Sequence, residues 1–328
     1  FDFTPTRWLN VHVSGGGWND RAGLVEAYAN VRRELGLDHV QVRAGQFFLP
    51  TSRENKDELW ASPYTISFSA LNSWIAEEVR PIGVDLEYRH TTSRGHAITT
   101  GATAFRGNDT MGTLLAWRGW AMHDRIATLG EVLPLPPLAS LDTFFAKQKD
   151  GTRPFGNDLD GRTGYAARVR WSVPERANVQ YTFVDNRGDR ELYVDQYAWA
   201  TRFHQLGAEL GDPGATIAAA EYMTGTTGMG DRLAGFVDAD FYAAYVLVSH
   251  KRNRNRFSAR YEIFKTDEQD FSPAEANEEN GRAWTFTWMF DVTEHTRLAA
   301  EFTQVTGDRP GTPDFDGRGF TLEARYRF

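Results

Sequence analysis

Two-residue periodicity is the feature of this chain that most limits what it can become. The final segment, Gly317 to Phe328, sets apolar Phe320, Leu322, Ala324, Tyr326 and Phe328 against Thr321, Glu323, Arg325 and Arg327. Successive strand side chains point to opposite faces, so this segment reads as a strand with one greasy side. The pattern recurs upstream. Phe286, Trp288 and Phe290 share a face, as do Phe257, Ala259, Tyr261 and Ile263, and Tyr165, Ala167, Val169 and Trp171. A soluble sandwich also alternates, but here short turns and long polar loops follow one another in strict exchange. That rhythm predicts an all-β fold, a transmembrane antiparallel β-barrel. Closure matters because hydrocarbon offers no water to backbone N–H and C=O groups, so only a sheet without edges can span it.

Working back from the C-terminus, strands are predicted near 317–328, 296–306, 282–293, 255–267, 236–249, 214–226, 195–209, 177–187 and 163–173. Further upstream they fall near 95–106, 80–91, 39–47, 22–33 and 8–14, with a stub at 1–4. Short turns are expected at 292–295, 250–254, 211–214, 173–177, 91–94, 34–38 and 5–7, and longer loops at 307–316, 268–281, 227–235 and 188–194. Single-chain bacterial barrels have even strand numbers. The expectation is therefore about 16 strands in the complete protein and 14–16 in this chain, with an export signal and a first strand preceding residue 1.

No linker divides the sequence, and residues 1–328 read as one domain. Aromatics at 13% accompany a mean hydropathy of −0.50, as expected when each lipid-facing residue is matched by a polar one facing a lumen. No apolar stretch approaches the roughly 18 residues a membrane helix needs. The absence of cysteine excludes disulfides, thiolate metal sites and cysteine nucleophiles. A net charge of −8 argues against nucleic acid as a partner. Arginines number 31 against 5 lysines, a bias that suits fixed charges on a pore wall and equally suits GC-rich coding.

Two segments, 48–79 and 107–162, are far longer than ordinary loops. The first carries Trp60, Tyr64, Ile66, Phe68, Leu71, Trp74 and Ile75, and Ser69 to Glu78 reads as a short capped helix. So apolar a loop is expected to fold into the lumen as a constriction rather than to cap the rim. The second, with Leu114, Leu115, Trp117, Trp120 and Met122, offers a further plug. Charged residues opposite the greasy faces should meet pore water. The pore-lining or constriction candidates are Arg43, Arg53, Lys56, Glu77, Glu78, Arg80, Asp85, Arg89, Arg118, Arg125, Arg168 and Arg170. Arg260, Glu26, Glu87, Glu262 and Glu301 are expected on the same wall. The cluster His123-Asp124-Arg125 has no nucleophile at a catalytic spacing, and no metal-ligand set or cofactor motif appears. Gly15-Gly16-Gly17 and Gly225 to Gly230 lack the lysine of a phosphate loop.

Three stretches go beyond periodicity: Val42 to Pro50 (VRAGQFFLP), Glu77 to Asp85 (EEVRPIGVD) and Ala220 to Gly230 (AEYMTGTTGMG). They resemble Gram-negative outer-membrane porins of the phosphate-selective porin O/P type. The resemblance implies a sixteen-stranded barrel, commonly a homotrimer, whose third outer loop narrows the pore. Better-known members carry an arginine ladder and lysines at the constriction, whereas this chain has only Lys56 in that loop and many wall carboxylates. The expected function is a porin passing small hydrophilic solutes or ions, with an anion preference, set among outer-membrane lipids and lipopolysaccharide. The competing expectations are a plugged barrel acting as receptor or assembly partner, a membrane-embedded hydrolase, and a secreted carbohydrate-binding sandwich.

Overall fold

The computed structural model describes residues 1–18, 21–270, 275, 277–309 and 314–327. Fifteen strands form one antiparallel sheet in sequence order: β1 (Asp2–Thr6), β2 (Leu9–Trp18), β3 (Arg21–Leu35), β4 (Asp38–Gln46), β5 (Ile82–Thr91), β6 (Ala97–Arg106), β7 (Gly164–Val173) and β8 (Ala177–Asp185) come first. A two-stranded hairpin, β9 (Tyr193–Val194) and β10 (Gln196–Tyr197), stands apart from the sheet. The sheet resumes with β11 (Ala200–Gly211), β12 (Thr216–Asp231), β13 (Gly235–Arg252), β14 (Asn255–Asp270), β15 (Glu279–Asp291), β16 (Thr296–Asp308) and β17 (Phe315–Tyr326). Three short helices lie in the two long loops: α1 (Ala70–Glu78), α2 (Thr113–Arg118) and α3 (Ala139–Asp142).

Each strand anticipated from the alternation is present, with shifted ends. Residues 195–199 are not the start of β11: Asp195, at φ 59°, turns the small hairpin, and the Trp199 N–H is held by Asp109 O. The loop expected at 227–235 is a tight hairpin, because β12 and β13 stay paired from Asp231↔Gly235 downward. Likewise β14 and β15 extend into 268–281. Parts of the loops expected at 268–281 and 307–316, and the terminal Phe328, lie outside the described residues.

One face of the sheet is greasy and bare. Tyr165, Val169 and Trp171, Phe257 and Ile263, Phe286 and Trp288, and Phe320, Leu322 and Tyr326 are all exposed, as alternation requires of a lipid-facing surface. The opposite face is covered by the chain's own loops. Segment 48–79 touches β3 through Glu26, β8 through Gln180, β14 through Arg260, β16 through Glu301 and the end of the chain just past β17 through Arg327. A single loop can reach the same face of strands that far apart only if the sheet curls around it. The long loops therefore fold into the lumen.

The apolar groups of 48–79 explain why. Phe48, Trp60, Phe68, Leu71, Trp74 and Ile75 join Met111, Leu115 and Trp120 of the second loop and Phe203, Met223, Phe241 and Phe264 of the wall in one buried cluster. Burying a large apolar side chain is worth about 1.5–3 kcal/mol. α1 starts where the sequence indicates, with Ser69 Oγ accepting the Asn72 N–H at 3.4 Å.

Candidate functional site

Directly paired residues of adjacent strands share a face, so the register traces rows around the inner wall. One row runs Gln41, Glu87, Gly101, Arg168, Thr182, Gln205, Met223, Ala243 and Phe264. A second runs His39, Arg89, Thr99, Arg170, Gln180, Gly207, Glu221, Tyr245 and Glu262. Arg43 and Asp85 lie on a third that passes through Phe203, Gly225 and Phe241 to Thr266. In each row the β4–β7 side is charged, whereas the β11–β14 side is apolar or anchors the loop. The inner wall is thus divided into a polar half and a half sealed by loop 48–79.

On the sealed half, carboxylates expected to face water instead hold backbone. Glu301 accepts Ile66 N at 2.7 Å and Ser67 N at 2.8 Å, Glu262 accepts Ala70 N at 2.6 Å, and Glu26 of β3 accepts Phe48 N at 2.9 Å. Glu221, wholly buried, accepts Arg53 N at 2.8 Å, Asn72 Nδ2 at 3.0 Å, Gln205 Nε2 at 2.9 Å and Tyr245 OH at 2.7 Å. Arg260, also expected at the water, is fully buried between Glu54 and Glu262 and donates to Ser67 O and Phe68 O. A loop backbone brought into a lumen needs such acceptors, since an unmade buried hydrogen bond costs about 1–3 kcal/mol.

On the polar half, Arg168 is clamped by Asp85 (2.6 and 3.0 Å) and Glu87 (2.9 Å). Gly101, its partner across β6–β7, makes this possible: a Cβ there would lie 2.3 Å from Arg168 Cζ. Arg43 lies 3.5 Å from Asp85 and stacks on Phe47 at 4.1 Å. Arg170 reaches Glu87 only at 3.7 Å, and Arg89 keeps an unpaired Nε. From the loop side Arg53 passes over Gly207, its Nε also unpaired, and Lys56 pairs with Glu209. Arg53, Arg89 and Arg168 all lie within electrostatic reach of Arg170. Five arginines and two carboxylates thus meet across the space between wall and loop.

The remaining candidates sit elsewhere. Glu77, Glu78 and Arg80 do not border this space; they are buried where the two long loops meet. Arg118 takes Glu77 in a two-pronged contact (3.1 and 2.5 Å), His123 Nε2 lies 3.1 Å from it, and Arg125 pairs mainly with Glu131. Burial would push Glu77 up, but His123 and Arg118 hold it well below the usual carboxylate range. Glu78, with no cation bonded to it, is pushed up to about 7 by burial. Arg80 is sandwiched between Phe48 and Phe155 and donates to Ala127 O. The cluster His123-Asp124-Arg125 is therefore joinery between loops. Asp109, Asp158 and Asp160 approach one another where the two ends of segment 107–162 meet, and each caps a nearby backbone N–H.

No protein-family model matches the chain, and no curated protein matches it in sequence. Solved structures do. The outer-membrane channel DcaP of Acinetobacter baumannii superposes with a TM-score of 0.57 at 9% identity, covering 100% of this chain and 83% of that one. OmpT of Vibrio cholerae gives 0.55 at 11%, covering 99% and 86%, and an anion-selective porin from Comamonas acidovorans gives 0.54 at 11%, covering 100% and 87%. The chain has the fold of outer-membrane β-barrels. At these identities the likeness speaks for architecture alone.

Proposed function

We propose that the protein is a porin of the Gram-negative outer membrane, a channel for passive diffusion of small hydrophilic solutes with a preference for anions. The observation that carries this reading is the pairing of an arginine-rich wall with an arginine on the loop facing it. Arg168 is neutralised by Asp85 and Glu87, and with Arg43, Arg53, Arg89 and Arg170 around them the five arginines outnumber the two carboxylates, so the field a passing solute meets is net positive. Like charge on both sides of a constriction attracts anions; opposite charges would orient zwitterions. The chemistry is exclusion and attraction, with no nucleophile, cofactor or metal assigned a role. The resemblance to phosphate-selective porins and the anion-selective porin of similar fold point the same way. A homotrimer in contact with lipid and lipopolysaccharide belongs to this proposal, and one similar barrel, OmpT, is described in a trimer form. The neighbouring copy would meet the face of β3 that carries the exposed Ala29 and Val31.

Planar-bilayer recording tests it. Discrete conductance steps are expected, with a reversal potential of anion-preferring sign under a salt gradient. Folded protein giving no steps would favour a second reading, a plugged barrel that serves as receptor or assembly partner. That alternative draws on the aromatic cluster filling the sealed half of the lumen.

A further inference from the structure

Glu78 lies buried at the loop–loop contact with no cation bonded to it among the described residues. It ends α1, is fully buried, and accepts Trp74 Nε1 at 2.7 Å from its own helix and Leu114 N (3.0 Å) and Leu115 N (3.4 Å) from α2. Asn108 of the second loop donates to its backbone carbonyl at 2.7 Å. The carboxylate therefore fastens loop 48–79 to loop 107–162. We propose that Glu78 is a proton-dependent latch between the two inward-folded loops, tightening their docking when protonated and loosening it when ionised.

The surrounding charges leave it in that position. Glu77 sits beside it on α1 and Arg118 ends α2, but Arg118 is committed to Glu77 and is also within reach of Glu279 on β15. His123 and Arg125 turn towards Glu77, and Arg80 is engaged with Ala127. Burial favours the neutral form of Glu78, and the Leu114 and Trp74 N–H donors and the nearby Arg118, which favour the ionised form, offset it only in part. Docking therefore raises the affinity of Glu78 for its proton, to about 7 from 4.5. By linkage the added docking stability is fully present at pH below about 4.5 and is lost as pH rises through about 7. Applied to those two values, linkage gives a docking equilibrium about thirtyfold weaker at pH 8.5 than at pH 5.5. The consequence for conduction rests on the channel reading: a loosened loop 48–79 would shift Arg53 relative to Arg170 on the wall.

Hydrogen exchange read by mass spectrometry on the folded protein in lipid vesicles tests the latch without needing a current. After correction for intrinsic exchange, the Leu114 and Leu115 amides should be about thirtyfold less protected at pH 8.5 than at pH 5.5. Glu78→Gln, permanently neutral, should be protected equally at both. Trp74→Phe removes a donor to the ionised form and should raise the midpoint, whereas His123→Gln should leave it in place; this pair decides the matter if Glu78→Gln does not fold. Protection independent of pH in the unaltered chain, or an unchanged pH dependence in Glu78→Gln, would overturn the latch. A missing conductance would sink the channel instead and leave this readout untouched.

Discussion

Arg260 is the side chain on which the inward position of loop 48–79 most depends, and replacing it with methionine isolates its charge from its volume. The guanidinium is completely buried, bonds Glu54 and Glu262 (2.8 Å), and donates to Ser67 O (2.9 Å) and Phe68 O (3.1 Å). Methionine keeps much of the packing, so the cavity cost is small. It leaves two carboxylates together in a dry site and takes from Ser67 O its guanidinium donor, while Phe68 O keeps only Ser73 Oγ at 3.4 Å. Removing one partner of a buried ion pair costs about 3–5 kcal/mol. The loop is attached elsewhere through Glu26, Glu221 and Glu301, so the loss should appear as local release rather than collapse of the barrel. Hydrogen exchange at Ala70, whose N–H is held by Glu262, should accelerate about a hundredfold or more if the full penalty is expressed there. The triple variant Glu54→Gln, Arg260→Met, Glu262→Gln removes the stranded charge and should recover most of the protection. A change below about threefold in Arg260→Met, on the scale of a surface pair, would refute the claim that this triad fixes the loop. So would a triple variant as mobile as the single one.

Other perturbations probe separate parts of the structure. Gly101→Ala places a methyl against Arg168 Cζ and should cost about 1–3 kcal/mol by overpacking, read from urea unfolding in vesicles. Combined with Arg168→Ala the two losses should fall short of additive by about 1 kcal/mol or more; strict additivity would deny the contact. Trp74→Ala empties a position packed against Phe203 and Phe241 (centroids 5.4 and 5.3 Å) and should cost about 3–5 kcal/mol, while Trp74→Phe should cost clearly less. Arg89→Gln with Arg170→Gln should move the reversal potential towards cation preference while leaving the folded barrel's stability within about 0.5 kcal/mol; an unchanged potential would remove these residues from the selectivity argument.

The strands were legible because their period of two survives on the lipid side, where nothing but hydrocarbon is met. Trp171, Phe257 and Phe286 had to be apolar, and they are exposed. The inner wall was harder to read. Glu87 beside Arg168 and Glu262 under the loop look alike in a strand, and only the fold shows that the second holds a backbone N–H. One signal was present: β12–β14 break alternation with the doublets Tyr222-Met223, Phe241-Tyr242 and Ile263-Phe264. Apolar residues on both faces mean that the inner face is dry there, and Met223, Phe241 and Phe264 are indeed buried against the loops. Glycine misled the hairpin at 227–235, since Gly228 and Gly230 read as loop while the strand pairing runs through both. Loop 48–79 announced its inward fold through its aromatics, but not that Glu77, Glu78 and Arg80 would serve the loop–loop contact. That assignment depends on which segment of 107–162 packs against them.

The natural absence of cysteine allows a direct test of which face of the sheet is wet. Single cysteines at Arg170, Val169 and Trp171, each in an otherwise unaltered chain folded into lipid vesicles, can be offered a charged, membrane-impermeant thiol reagent. The position at 170 should react quickly, and those at 169 and 171 should remain protected by hydrocarbon. The reverse pattern, with 169 and 171 labelled and 170 shielded, would contradict an arginine-lined aqueous lumen inside a lipid-facing barrel.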